Sequence, residues 1–381
     1  MKRYANDPKV RHYLDAVVEQ IKFTEAHKNV RRELSTHLED NVAAEINLGR
    51  DEEFAVLSAL EKMGDPIATG KGLDSIYRPK VDLVLIAIVV LLNICGLFAL
   101  SPSGLMGRQL MWMLLGTAIA FAVFKLNYRS LQLALKSSYV FAIFGLMAAH
   151  FFGVLYKGQP YLSIFGIGIK IVDVAGCLMA ISLPAISELL KPKRHKSLLV
   201  SVLTLVPVMY LASTASIIPA LLLLISGLIS LTKLEAGKTI VVGTGVAGMA
   251  AIATFATQGF TLTDGTVAFN DYTDFVLSSL SDNSLSGVVV AIGLLLILVS
   301  YSAFSLRSII TPWLQTTATI CTWIFAWEIA LGIAANFHII PMSRLGINIP
   351  FLSYGGSLIA AHFLLIGVMM NCFYRKAIQY F

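Results

Sequence analysis

The sequence predicts an all-α, polytopic membrane protein of about ten transmembrane helices, preceded by a small cytoplasmic helical bundle. Of its 381 residues, 56% are hydrophobic and only 14% are charged, and the mean hydropathy is +0.75. Charged residues are dense before residue 80 and afterwards occur mostly in short clusters between long apolar runs. This composition excludes a soluble globular protein, whose charged fraction is typically about 25%.

The N-terminal segment predicts amphipathic helices. Apolar residues recur at helical spacing on an otherwise polar chain, and Gly49 and the sequence Gly-Asp-Pro at 64–66 are helix stops. The predicted helices cover approximately residues 10–21, 33–49, 51–63 and 67–73. We therefore predict one cytoplasmic helical domain at residues 1–78 and a transmembrane domain at 79–381. No secretory signal is recognisable before the first helix, so the N-terminus is expected in the cytoplasm.

Ten apolar runs are long enough to cross about 30 Å of hydrocarbon, which takes about 20 helical residues. Pro207 and Pro219 lie in the fifth and sixth runs, which are expected to be broken or tilted. The predicted spans are 82–100, 108–124, 138–156, 169–190, 197–213, 216–232, 239–257, 285–306, 314–338 and 356–373.

Basic clusters predict the orientation of these spans. Each cluster follows an even-numbered span or lies at its end, and cytoplasmic loops carry the excess of Lys and Arg. Both termini are therefore expected in the cytoplasm, and the polar segment 258–284 is expected outside. The clusters are Lys125 and Arg129, residues 191–196, Lys233 and Lys238, Arg307, and Arg375 and Lys376. The formal net charge of +6 is explained by topology, and no nucleic-acid partner is predicted.

The motif PFLSYGGS at residues 350–357 is the most specific pattern in the chain, and it resembles the signature of the SEDS family (shape, elongation, division and sporulation), the FtsW, RodA and SpoVE group. The resemblance implies a substrate-binding role for Ser353, Tyr354, Gly355 and Gly356. A purely structural alternative is a helix N-terminus capped by Ser353, with the glycines permitting a tight turn or close helix packing. The sequence EEFAVLSALEKMGDP in the N-terminal domain separately resembles the helical prefix domains of some bacterial permease subunits.

Two further segments resemble the same family, so that the resemblance covers about residues 81–376. One is the second span with its exit NYR, and the other is YTDFVLSSLSDNSLSG in the outer segment. SEDS proteins polymerise lipid II at the outer face of the bacterial cytoplasmic membrane, in cell shape, division or sporulation. Asp274 falls on the aspartate to which that activity is attributed, and Asp282 on the acidic residue that follows. A carboxylate at position 274 suits the general base that takes a proton from the attacking sugar hydroxyl. The structural alternative is a solvated aspartate that caps a helix.

The chain departs from the family where cations are expected. By ungapped comparison, Pro160 and Gly176 replace the family's arginine and lysine, and Asp173 stands in place of a glutamate. Lys170 is expected either to pair with Asp173 or to substitute in part for the missing cation. Other candidates for contact with a diphosphate are Arg108, Lys157 and Arg344, each with the alternative of an interfacial residue. Glu328 and His362 are ionisable residues at membrane depth, and they are expected to face a cavity, with the alternative of a hydrogen bond between helices.

Two other functions stay open at this point: a catalytically silent scaffold or regulator, and a flippase for lipid-linked precursors. The resemblance implies lipid II as substrate and a class B penicillin-binding protein as partner, and the N-terminal domain implies a further cytoplasmic partner or a membrane-surface anchor. The sequence contains no nucleotide-binding motif and no His/Cys metal constellation. No cofactor is therefore predicted with certainty, and a divalent cation, Mg²⁺ or Mn²⁺, is an alternative.

Overall fold

The computed structural model describes residues 4, 7–156, 159–164, 167–189, 196–214, 216–261, 276–337, 339 and 348–376. The chain forms two compact units. The smaller consists of Met1–Val81, Ser308–Thr311 and Tyr374–Phe381, and the larger of Asp82–Arg307 and Pro312–Phe373.

Four helices form most of the smaller unit. Asp7 and Asp65 accept backbone N–H bonds at the starts of α1 and α4, and a proline occupies the first turn of each. Val10, Val17, Leu38 and Val42 are among the residues of its apolar core. The helices are α1 (Pro8–Glu19), α2 (His27–Asn47), α3 (Glu52–Lys62) and α4 (Pro66–Tyr77). The four predicted helices are thus present, with α2 starting six residues earlier than its apolar pattern indicates.

One charged contact and one aromatic contact join the C-terminal residues of the smaller unit to its N-terminal residues. The guanidinium of Arg375 donates two hydrogen bonds of 2.9 Å to the carboxylate of Glu25, and the rings of Phe23 and Tyr374 meet edge to face. Two-point contact between a guanidinium and a carboxylate is among the stronger charge-assisted geometries. Tyr374 and Arg375 therefore belong structurally to the smaller unit.

Ten apolar helices lie within the described residues of the larger unit. Seven are long and apolar enough to cross a membrane, and the apolar stretches of α5, α10 and α11 are shorter. They coincide in order with the ten predicted spans. They are α5 (Leu83–Ala99), α6 (Met106–Lys125), α7 (Tyr128–Phe152), α8 (Ile171–Leu189), α9 (Lys196–Ser213), α10 (Ile217–Lys233), α11 (Lys238–Thr261), α13 (Leu285–Ser305), α14 (Pro312–Asn336) and α15 (Gly356–Tyr374). The short helix α12 (Val276–Asn283) precedes α13.

The third apolar helix differs most from its predicted bounds. It begins at Tyr128, ten residues before the predicted span, because Asn127 caps it and its first three turns are amphipathic rather than uniformly apolar. A small antiparallel sheet, which the apolar pattern does not predict, follows it. The strands are β1 (Val154–Tyr156), β2 (Gln159–Ile164) and β3 (Ile167–Ile169), in the order β1-β2-β3. β3 leads directly to Lys170 and the start of α8.

Candidate functional site

A small cavity with four polar and six apolar lining residues lies where three helices begin. It encloses about 30 Å³, which is room for about one water molecule. Its wall includes the first turns of α8, α10 and α15, together with the middle of α14 and Asn348 from the segment before α15. By the predicted orientation, this is the extracytoplasmic side. The lining residues are Lys170, Asp173, Cys177, Ile218, Pro219, Leu222, Glu328, Leu331, Asn348 and Leu358.

Lys170 and Asp173 form an ion pair at the start of α8. The Nζ of Lys170 lies 2.7 Å from Oδ2 of Asp173, and the two side chains are 11% and 13% exposed. Their spacing of three residues places both on one helix face. The backbone N–H of Lys170 also donates to Oγ of Ser357, at 3.3 Å. Of the two predicted roles for Lys170, pairing with Asp173 is the one found in the structure.

The PFLSYGGS segment forms a closed turn before α15. Ser353 Oγ accepts a hydrogen bond of 2.9 Å from the N–H of Ile349, and the N–H of Ser353 donates to the carbonyl of Ile349. The alternative of Ser353 as the cap of the last helix is therefore wrong, because α15 begins three residues later and the hydroxyl is engaged within the turn. Phe351 has a left-handed backbone, with φ of 65°. A bulky residue in this region is strained, and it persists only when the surrounding structure enforces it.

Close packing enforces this turn. The ring of Phe351 is fully buried between Phe325, Phe363 and His362, with ring centroids 5.5 to 5.8 Å apart. A Cβ on Gly356 would overlap the indole of Trp112 on α6, so this glycine is a packing requirement. A Cβ on Gly355 would meet only Leu358, at 4.0 Å. Tyr354 is half-buried. The structure thus gives Ser353 and Gly356 structural roles within the motif.

A second buried polar pair joins α14 to α15. Nε2 of His362 lies 2.7 Å from Oε2 of Glu328, and the residues are 1% and 8% exposed. Glu328 also lines the cavity that Lys170 and Asp173 line. The prediction that ionisable residues at membrane depth face a cavity holds for Glu328, while His362 is covered by the rings of Phe325 and Phe351.

Solved structures with a similar fold identify the architecture. Thermus thermophilus RodA, a rod shape determining protein, is 20% identical with a TM-score of 0.58, and the match covers 77% of this chain and 97% of that chain. A mutant of that RodA with an aspartate changed to alanine gives the same values, with 98% of its chain covered. A chain from the structure "Structural coordination of polymerization and crosslinking by a peptidoglycan synthase complex" is 18% identical with a TM-score of 0.64. That match covers 78% of this chain and 98% of that chain. At these identities the likeness shows the fold.

The C-terminal part of the sequence supplies the deciding observation. Residues 267–377 match the family model described as Cell cycle protein, which groups FtsW, RodA and SpoVE. Residues 267–377 are therefore similar to the SEDS family, and the chain has the fold of RodA. No curated protein sequence matches the chain. The resemblance predicted from PFLSYGGS is confirmed, and the protein is an integral membrane protein with the RodA fold.

Four of the predicted site positions cannot be placed. Lys157, Asp274 and Arg344 lie outside the described residues, and so does the side chain of Asp282, whose backbone belongs to α12. The described chain resumes at Val276, which is buried, and the N–H of Leu277 donates to Oδ1 of Asn336 at the end of α14. The catalytic prediction for Asp274 therefore remains a prediction.

The structure shows what occupies the positions where the SEDS family has its arginine and lysine. A Cβ on Gly176 would lie 2.8 Å from Cβ of Pro219, because α8 and α10 approach closely there. A lysine at this position would have no room without a shift of the helices. Pro160 lies in β2, paired with Leu155 of β1. Among the described residues, no group of three or more His, Cys, Asp or Glu side chains could hold a metal ion.

The sequence did not single out the first turn of α10 or Asn348 as cavity residues. Ile218 and Pro219 are ordinary apolar residues in a span, and their position depends on how α8, α10 and α15 pack together. Asn348 precedes the recognised motif by two residues, and a polar residue next to a motif is the one local signal that could have indicated it. The lining thus reflects tertiary packing rather than any local pattern.

Proposed function

We propose that this protein is a peptidoglycan glycosyltransferase that polymerises lipid II at the outer face of the cytoplasmic membrane. The observation that carries the proposal is the meeting of three helix N-termini, those of α8, α10 and α15, at a cavity that Lys170 lines. Unpaired N–H groups and the helix dipole give a helix N-terminus a partial positive charge, which favours an anion.

Polymerisation of lipid II releases undecaprenyl diphosphate, so positive charge must stabilise the leaving group. The chain lacks the arginine and lysine of its family, and the three helix N-termini with Lys170 provide an alternative source of positive potential. Lys170 is held by Asp173 at 2.7 Å, and the cavity has room for about one water molecule. Engagement of a diphosphate therefore requires this ion pair to open and the cavity to widen. We assign contact with the diphosphate to Lys170 and Arg344, and loop positioning to Asp282.

The chemical step requires a base for the attacking hydroxyl, and we assign this role to Asp274. The carboxylate takes the proton from the sugar 4-hydroxyl as its oxygen bonds to the anomeric carbon and the diphosphate departs. Its place in the outer segment of the predicted topology suits a substrate whose lipid tail stays in the membrane. We further propose a class B penicillin-binding protein as partner, supported by the likeness to a chain of a peptidoglycan synthase complex.

The test is an assay with purified full-length protein and fluorescent lipid II, alone and with candidate class B penicillin-binding proteins, each with and without Mg²⁺ or Mn²⁺. Glycan chains resolved by gel electrophoresis, and lost in Asp274→Asn, are the expected result. Transfer of lipid II across a vesicle membrane without chain formation would instead identify a flippase. Absence of both with every partner and metal would exclude catalysis.

A catalytically silent scaffold is a second candidate function, favoured by one specific observation. The position of the family lysine, Gly176, is packed against Pro219 with no space for a side chain, and the nearby ammonium of Lys170 is already paired. A SEDS protein that binds lipid II and a partner without forming chains would fit this arrangement. Binding without polymerisation in the same assay separates this function from the first.

A further inference from the structure

A wide apolar groove between α7 and α9 takes no part in the proposed reaction. Its volume is about 510 Å³, and Met179 of α8, which is fully buried, forms part of its floor. Its walls include Met147 on α7 and Val206 on α9, whose side chains are exposed. We call this space the α7–α9 groove. None of the described residues that line it is Lys, Arg, Asp or Glu, so it is built for an uncharged, apolar occupant.

Two tyrosine hydroxyls connect the walls of the α7–α9 groove. Pro207 in α9 has no N–H, so the carbonyl of Leu203 lacks the donor that a helix normally supplies four residues later. The hydroxyl of Tyr139 on α7 donates to this carbonyl, at 2.6 Å. In the opposite direction, the hydroxyl of Tyr210 on α9 donates to the carbonyl of Leu146 on α7, at 3.2 Å. Both hydroxyls are therefore engaged with the backbone, and the groove presents apolar surface.

Hydrocarbon is the filling that suits such a space. A bound water needs two to four polar partners, and the hydroxyls of the two tyrosines are already used by backbone carbonyls. An empty groove would lose the dispersion contacts of its walls, and protein interiors keep few voids larger than a water molecule. Lipid tails are as apolar as these side chains, so close packing, rather than removal from water, drives the association.

The length of the α7–α9 groove matches one leaflet of a bilayer. At 1.5 Å per helical residue, its walls measure about 18 Å from Tyr139 to Phe151 on α7 and about 12 Å from Val202 to Tyr210 on α9. Half of the hydrocarbon core is about 15 Å. At the Phe151 end, which is extracytoplasmic by the predicted orientation, the ring of His150 meets Tyr210 edge to face. An imidazole there gives the groove one polar end.

We propose that the α7–α9 groove binds one acyl chain of a phospholipid from the outer leaflet. The ester end of the chain lies near His150, and its terminal methyl group lies near Tyr139. The undecaprenyl chain of the proposed substrate is longer than one leaflet, so most of it would remain outside the groove. The bound chain is therefore a structural lipid that packs against α7, α8 and α9, and this assignment does not depend on the proposed polymerase activity.

The experiment uses the purified full-length protein in nanodiscs of phosphatidylethanolamine and phosphatidylglycerol. A trace of phosphatidylethanolamine carries a photoreactive diazirine, either next to the ester or at the end of one acyl chain. After illumination, mass spectrometry of peptides locates the label. We expect the ester-proximal probe to label the region of His150 and Tyr210, and the chain-end probe to label the region of Tyr139 and Val202. Unlabelled phosphatidylethanolamine should compete for both labels.

Two matched pairs of variants separate the α7–α9 groove from the general lipid surface. Val206→Trp on α9 and Met147→Trp on α7 fill the groove, whose walls include both residues, 62% and 50% exposed. Met209→Trp and Phe144→Trp are the controls on the same helices, at side chains that are 51% and 62% exposed and are not part of the groove lining. Labelling should fall by about fivefold or more in the groove variants, as expected for overfilling a packed site. It should stay at the wild-type level in the controls.

Thermal unfolding and size-exclusion chromatography identify any variant that fails to fold, and the variant on the other helix then decides. Equal labelling of the wild type and a folded groove variant would overturn the inference. A reversed order of the two probes would place the chain in the other leaflet and would also overturn it. So would displacement of the phospholipid label by undecaprenyl phosphate at a lower concentration than phosphatidylethanolamine requires, because the occupant would then be a polyprenyl chain.

Discussion

The backbone carbonyl oxygen of Phe351 packs against Gly96 of α5. A Cβ at position 96 would overlap this oxygen and would lie 3.2 Å from Cα of Leu352. A Cβ on Gly332 of α14 would overlap the side chain of Ile349. The strained turn of PFLSYGGS is therefore held between two helices that have no side chain at the point of contact.

The first prediction follows from that contact. Gly96→Ala should destabilise the protein by about 1–3 kcal/mol, because the overlap is with backbone atoms that cannot rotate away. It should also lower polymerisation, since the turn supports the start of α15. Thermal unfolding with a polymerisation assay measures both effects. The matched control is Gly293→Ala in α13, where a Cβ meets nothing within 4 Å and stability should rise slightly or stay unchanged. Equal melting temperatures for the two variants would contradict the assigned role of Gly96.

The second prediction concerns Asp274. Asp274→Asn keeps the size of the side chain and removes its ability to accept a proton, so the polymerisation rate should fall by about 10²- to 10⁴-fold while the melting temperature stays near that of the wild type. Asp264→Asn and Asp271→Asn, in the same outer segment, are the controls and should retain activity. Comparable rates for Asp274→Asn and an active wild type would remove this residue from the mechanism.

The third prediction concerns membrane orientation. Because the basic clusters lie on one side of the predicted spans, a reporter fused after Lys196 or Phe381 should be cytoplasmic, and one inserted near Asp264 should be external. Paired phosphatase and fluorescent-protein fusions measure this in cells. An external reporter at Phe381 would contradict an even number of spans with a cytoplasmic N-terminus.

The fourth prediction is a pH dependence in the smaller unit. The hydrogen bond from the Lys62 ammonium, with added attraction from Arg50 at 2.7 Å, holds the pKa of Glu45 below its usual value of 4.5. The native state therefore keeps this carboxylate ionised more readily than the unfolded chain does. Its contribution to stability is present above about pH 4.5 and is lost as pH falls through the lower, folded-state pKa.

Hydrogen exchange of α2 and α3 in the intact protein measures this effect. Near pH 6, these helices should be less protected from exchange in Glu45→Gln than in the wild type. This difference should disappear as the solution is made more acidic. Glu53→Gln is the control, because that side chain is 76% exposed and its ion pair with Lys9 contributes little. A difference between Glu45→Gln and wild type that persists unchanged under acid would contradict the assignment.

Apolar run length was enough to predict the membrane helices, and the PFLSYGGS pattern was enough to predict the resemblance to the SEDS family. These two patterns did not predict features that depend on how the helices and strands pack together. The residues of β1 and the last residue of β3 are apolar and adjoin long apolar runs. The apolar pattern therefore placed Val154–Tyr156 in the predicted span 138–156 and Ile169 in the predicted span 169–190. The pairing of Lys170 with Asp173 was accessible from spacing alone, whereas the hydrogen bond from His362 to Glu328 joins residues 34 positions apart and requires the packing of α14 on α15.

The contact between Arg375 and Glu25 has a consequence for the order of assembly. The two residues are 350 positions apart, so the ribosome produces Glu25 long before its partner. The N-terminal helices can form early, yet their unit is completed only after every membrane segment has been synthesised and Tyr374 and Arg375 have emerged. A chain truncated before Tyr374 would carry an N-terminal unit without the contacts that Tyr374 and Arg375 make with Phe23 and Glu25.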